Sequence, residues 1–260
     1  CGNDITTAAY NTAFGTNSLE KVTTGQNNVA VGYQALDNET TASNNVAVGS
    51  SALGAQQGAA NNVAVGRSAG ASITTGEKNT AIGSNAMYTN TVGDNSVAVG
   101  YAALYYQNPS SNADMYNTAV GYNAGGAITT GINNTFIGGL AGDGKTTANN
   151  NTAVGRSALT SAGSGSENTA VGTTSLLSVT TGVGNQALGW QTGYYLTTGS
   201  YNGLLGHNAG LNMTTAEANT LLGAFAGDGL TTGSSNVAVG YAALSAEDVG
   251  QWNVAVGRGA

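Results

Sequence analysis

A single period governs this chain. The phrase Asn-(Val/Thr)-Ala-(Val/Ile)-Gly, with a few substitutions, returns along its whole length. Its closing glycines are Gly15, Gly32, Gly49, Gly66, Gly83, Gly100, Gly121, Gly138, Gly155, Gly172, Gly189, Gly206, Gly223, Gly240 and Gly257. Thirteen of the fourteen spacings are 17 residues and one, Gly100 to Gly121, is 21. A fixed period of this length means that each repeat is one structural unit stacked on the next. No 3.6-residue apolar stripe survives, and β-branched residues and glycine dominate, so helices are excluded. The expectation is an all-β chain: a parallel β-solenoid, or β-roll, of fifteen 17-residue coils, forming one repeat domain over 1–260. At ~4.8 Å per layer it would be a rod of roughly 70 Å.

Counting from the closing glycine as position 0, each column of the repeat has a physical reading. Position −4 is Asn in fourteen copies: Asn11, Asn28, Asn45, Asn62, Asn79, Asn117, Asn134, Asn151, Asn168, Asn185, Asn202, Asn219, Asn236 and Asn253, with Ser96 the exception. Stacked coils bring these amides into a ladder. Positions −3 (Val or Thr in thirteen copies) and −1 (mostly Val, Ile or Leu) share one strand face because side chains alternate with period two. That pair is expected to point into the core, with the Ala of position −2 on the opposite, close-packed face. Position +3, Ala in twelve copies, and +4, Leu, Met or Gly, read as a second inward segment. Thr-Thr-Gly or Thr-Thr-Ala at +8 to +10 reads as a corner whose glycine supplies positive φ.

Only about four apolar side chains per coil suggest either a core shared among chains, most simply three, or a narrow two-sheet solenoid standing alone. Composition excludes other classes. Charged residues are 7% of the chain against roughly 25% in ordinary globular proteins. With net charge −7, neither a nucleic-acid groove nor an anionic membrane surface is favoured. Apolar runs fall far short of the ~20 residues of a spanning helix, so membrane insertion is not expected. Cys1 is the only cysteine, which leaves no internal disulfide or thiol metal site. Cys1-Gly2 fits a lipidated lipoprotein terminus or a piece of a longer chain, and the repeat register favours the piece.

The segments 28–36 (NVAVGYQAL), 79–87 (NTAIGSNAM) and 117–125 (NTAVGYNAG) resemble the head repeats of trimeric autotransporter adhesins and the repeat shafts of bacteriophage tail fibres. The resemblance covers essentially the whole chain. It implies a left-handed homotrimeric β-roll, outside the cell, on a cell surface or on a virion, that binds host glycans or proteins. The period departs from the family's, whose head repeat is about 14 residues, and no coiled-coil stalk, membrane anchor or terminal chaperone is recognisable.

Several motifs invite chemistry. Residues 139–146 (GLAGDGKT) match a phosphate-binding loop letter for letter, but such a loop needs a helix after it, and here another coil follows. The equivalent later stretch has Leu230 in place of Lys145. Asp143 and Asp228 sit in matching Gly-Asp-Gly corners. One carboxylate per coil is short of the oxygen count calcium wants, so an Asx-type turn is the preferred reading and no cofactor is expected. A lone His207 supplies no catalytic set, and the chain is not expected to be an enzyme.

Position +1 is more informative. It holds Tyr33, Tyr101, Tyr122, Trp190, His207 and Tyr241, together with Arg67, Arg156 and Arg258, which are all the arginines in the protein. Such a stripe can stack on sugars or grip a protein surface; equally, it can shield an edge or pack between subunits. The four-residue insertion within 101–116 contains Tyr105, Tyr106 and Tyr116 and is expected to project as a tyrosine-rich loop, a tolerated surface insertion or a recognition element. The paired threonines raise ice binding, but adjacent residues point to opposite faces, which disfavours a flat two-threonine ladder. The expected function is a structural and adhesive rod for a glycan or protein partner. The alternative is a head-to-tail filament subunit without a receptor, favoured by the nearly continuous repeat register between Ala260 and Cys1.

Overall fold

The computed structural model describes residues 6–260, so the reading made at Cys1 lies outside them. The chain is all-β and winds as a parallel β-solenoid with 17 residues to the coil. Its coils group into two compact units, one ending at Asn133 and one spanning Asn134–Ala260. In the first unit seven three-residue strands, from Thr12–Phe14 to Thr118–Val120, pair each with the next. In the second, eight strands from Thr135–Ile137 to Val254–Val256 do the same. Register is direct: Val29 lies beside Val46, Ala30 beside Ala47 and Val31 beside Val48.

The alternation is as expected but its direction is reversed. Ala30, Ala47, Ala64 and Ala81 are buried, whereas −3 and −1 face outward, half-buried or exposed. Volume explains the reversal. The coil interior is already filled by Ala35-Leu36, Ala52-Leu53 and their equivalents at +3 and +4, and by the side chain at +7. Opposite them a strand has room only for a methyl group. Each unit therefore encloses a narrow core of its own.

Positions +4 and +7 share that space reciprocally. Where +4 is Leu or Met, +7 is small, polar or Val, as in Leu36 with Glu39, Leu53 with Gln56 and Leu176 with Val179. Where +4 is Gly, +7 is long: Gly70 with Ile73, Gly125 with Ile128, Gly210 with Met213, Gly227 with Leu230. A Cβ at Gly210 would come within 2.5 Å of the Met213 sulfur. The leucines at +4 are left-handed, with φ near 49° at Leu36, Leu53 and Leu104. That conformation costs roughly 1–2 kcal/mol, and burying the side chain returns about 2 kcal/mol, so the strain is tolerated for the packing.

The corner glycine expected at +10 to carry positive φ does not. Left-handed backbone falls instead at −5, +2 and +4, mostly on non-glycine residues, and on the closing glycine, whose φ lies between 129° and 141° in every copy. A Cβ on Gly32 would sit 2.7 Å from the Gly49 carbonyl of the next coil. This crowding, together with the φ, is why that position never varies.

The Asn column forms the expected ladder with a definite pattern. Asn28 Oδ1 accepts the backbone N–H of Asn45 at 3.0 Å, and its Nδ2 donates to the Ala42 carbonyl at the corner of its own coil at 2.9 Å. In the second unit Nδ2 also reaches the preceding amide, as from Asn202 to Asn185 Oδ1 at 3.0 Å. Each buried amide thus ties strand to corner and coil to coil, and an unmet partner there would cost about 1–3 kcal/mol.

Candidate functional site

The +1 side chains are displayed outward in both units. Tyr33, Tyr101, Tyr122 and Arg67 are exposed in the first; Arg156, Trp190, His207, Tyr241 and Arg258 in the second. The rings are largely turned onto one another. Tyr101 and Tyr122 stack with centroids 5.5 Å apart and planes 9° from parallel. Trp190 stacks on His207 at 4.7 Å, His207 meets Phe225 at 5.2 Å, Phe225 meets Tyr241 edge-on, and Arg258 lies 5.6 Å over the Tyr241 ring. Phe225 stands at +2, a position the column reading left out. Direct stacking of coils brings like rings into register, so much of the stripe's aromatic surface is spent within the chain. Tyr33, between Thr16 and Ser50, keeps its ring free of such a partner, and Trp190 keeps the face toward Thr173.

The remaining candidates divide sharply. Lys145, the lysine of the phosphate-loop match, is fully buried and its Nζ donates to the Val179 carbonyl at 2.5 Å, two coils on. The intervening Ala162 is turned out to solvent, and Lys145 occupies the +7 position of a coil whose +4 residue is Gly142. Burial without a counter-charge pulls its pKa down to about 8. An ammonium held there cannot meet a phosphate.

Burial raises the Asp228 carboxyl from its ordinary value, with backbone N–H groups pulling the other way. Among the described residues no three His, Cys, Asp or Glu side chains come together as a metal site. The +8 threonines turn their hydroxyls onto the next coil's backbone, as Thr197 does to the Thr214 carbonyl at 2.9 Å, while +9 threonines such as Thr198 are exposed.

The expected tyrosine loop is not where the insertion lies. Tyr105 and Tyr106 occupy ordinary +5 and +6 positions, Tyr105 stacking on Tyr88 at 5.2 Å. Burial and the neighbouring Tyr106, Tyr88 and Tyr101 raise the Tyr105 phenol. Tyr116 is an ordinary −5 residue with φ 48°, and its hydroxyl donates to Asp114 at 3.1 Å, which raises its pKa. The extra length is spent around Ser110, Ser111 and Asn112, which are exposed. The coil closes again where Gly93–Asp94 pairs with Ala113–Asp114.

Two features escaped sequence reasoning. One is the outward sheet face: Val65, Ile82, Val97 and Val120 in the first unit, Ile137, Leu188, Leu205 and Leu222 in the second, all more than a third exposed, with no charged residue at −3 or −1 in any copy. At Gly203 the face is notched, leaving a hollow of about 180 Å³ between Leu188, Leu205 and Leu222. The other is a cleft of about 300 Å³ lined by Gln34, Asp37, Asn38, Ser51, Gly54, Ala55 and Ala71.

No family model matches the chain, and neither a curated protein nor a solved structure was found to match it.

Proposed function

We propose that this chain is a structural segment of an extracellular fibre, on a cell surface or a virion, whose copies associate through the outward sheet face, and that it is not an enzyme. The observation that carries this reading is the apolar, uncharged −3/−1 face, which runs strand after strand through each unit. A contiguous exposed apolar surface of this kind marks an association site. A second copy is the partner of choice, because its rows repeat at the same strand spacing and can interdigitate with these without a change of register. The dispersal of reactive side chains supports a structural role: the single histidine is stacked between rings and the phosphate-loop lysine is buried.

Sedimentation of the full chain tests the reading. Oligomers, most simply trimers, are expected, and Ile82→Glu with Leu205→Glu should release monomers that keep their fold, since both side chains are exposed in the single chain. A chain that stays monomeric up to its solubility limit overturns the proposal.

A second reading, recognition of a glycan or surface protein by the +1 column, is favoured by the free faces of Tyr33 and Trp190. On a glycan array, Trp190→Ala and Tyr33→Ala should remove any signal that this column produces. Signal unchanged in both variants would exclude the column as the binding surface.

A further inference from the structure

We infer that the cleft around Gly54 is a binding site for a neutral sugar ring, separate from the +1 column and independent of the sheet-face reading. The cleft exists because three neighbouring coils differ at +5 and +6. Asp37 and Asn38 form one wall; the next coil carries only Gly54 and Ala55, and the one after it Ala71. At the same +5 position other coils carry tyrosine, at Tyr88, Tyr105 and Tyr194. The missing side chains leave about 300 Å³, the lower end of the range in which small-molecule sites fall.

The lining chooses the ligand. Gln34, Asn38 and Ser51 offer amide and hydroxyl groups, and Asp37 offers a carboxylate. Asp37 Oδ1 is shut off from solvent and meets no hydrogen-bond partner within the chain. Rotation about the terminal torsion of an aspartate is easy. Turning that carboxylate toward a hydroxyl seated in the cleft would therefore gain a charge-assisted hydrogen bond without breaking one inside the protein.

Charge argues against an anion. By the coil register Glu20 stands beside Asp37, so two carboxylates face the single ammonium of Lys21, which donates to Asn38 Oδ1. Asn38 Nδ2 is itself held by the Gly54 carbonyl at 2.6 Å, which fixes the amide against the cleft. Fixed amides, a hydroxyl and a carboxylate acceptor suit a ring bearing adjacent hydroxyls. Ala55 and Ala71 present methyl groups to its C–H face.

The test uses the full chain and four probes, glucose, galactose, mannose and N-acetylglucosamine at millimolar concentration, observed by saturation-transfer NMR. At least one should receive saturation, and Gly54→Tyr should abolish it. The backbone permits that change: a Cβ on Gly54 meets nothing nearer than 3.4 Å. Gly54→Tyr should cause the same loss of signal in a Trp190→Ala background, which separates this site from the +1 column. Should Gly54→Tyr not fold, Asp37→Asn replaces it, with at least a fivefold loss of affinity expected. The inference is overturned if none of the four sugars receives saturation, or if the signal survives Gly54→Tyr or Asp37→Asn undiminished.

Discussion

Asn117 Nδ2 donates to Gln107 Oε1 at 3.0 Å, in the one place where the Asn ladder is interrupted. The preceding ladder position is Ser96, whose short hydroxyl contacts the same Gln107 amide at 3.2–3.3 Å. Gln107, at +7, has reached across the core to replace what Ser96 lacks. Asn117 Nδ2 also holds the Gly131 carbonyl at 2.7 Å, so both of its protons are used.

Gln107→Ala should therefore cost about 1–3 kcal/mol, the penalty of a buried donor left unmet. Adding Ser96→Asn to that variant should recover part of the loss, because the vacated space admits a second amide. Urea unfolding of the two variants measures both effects. No stability loss in Gln107→Ala would mean that the amide contact is incidental.

Lys145 predicts a pH dependence. Its folded pKa, about 8, lies below the ordinary 10.5, so the unfolded chain binds the proton more tightly. The cost of burying the charge is full below about pH 8 and is relieved as pH rises toward 10.5. At 1.36 kcal/mol per unit the penalty is about 3 kcal/mol. Lys145→Met removes the charge and keeps most of the volume, at the loss of the bond to the Val179 carbonyl. Relative to the native chain, the variant should be most stable at pH 7, and its advantage should shrink by about 3 kcal/mol between pH 8 and 10.5. Tyrosine ionisation is common to both proteins and cancels in the difference. A difference that does not change with pH would refute the assignment.

The period, the parallel stack, the Asn ladder and the inward +3/+4 segment were legible because each depends on residue type at fixed spacing. The direction of the strand was not. Alternation says that Val29 and Val31 share a face, but only the interior volume decides which face, and that volume is set by Leu36 and Glu39, several residues on. A signal was nevertheless present: position −2 departs from Ala only at Phe136, Leu204 and Leu221, and each of those coils has glycine at +4. The left-handed turns escaped because leucine, serine and asparagine carry them rather than glycine. For the +1 column, the alignment was visible but the stacking of its rings on one another was not. The cleft could have been seen as a run of small residues at 54, 55 and 71, yet its meaning depended on the neighbouring Asp37 wall.

The same volume rule gives a prediction that needs two substitutions. Phe136 fills the strand position where Ala normally stands and is fully buried, and a Cβ on Gly142 would lie within 2.7 Å of its ring carbons. Gly142 is also left-handed, at φ 59°. Gly142→Ala alone thus combines overpacking, typically about 1–3 kcal/mol, with a left-handed alanine at roughly 1–2 kcal/mol. Phe136→Ala alone opens a cavity and should cost about 3–5 kcal/mol. In the double variant the steric term vanishes, because the new methyl at 142 faces a methyl at 136 instead of the ring, while the backbone strain and part of the cavity remain. The double variant should accordingly be more stable than the sum of the single losses by at least about 1 kcal/mol, the coupling expected of residues in contact. Strict additivity in a denaturant-melting cycle would show that −2 and +4 do not share one space, and the reversed direction of the strand would then need a cause other than interior volume.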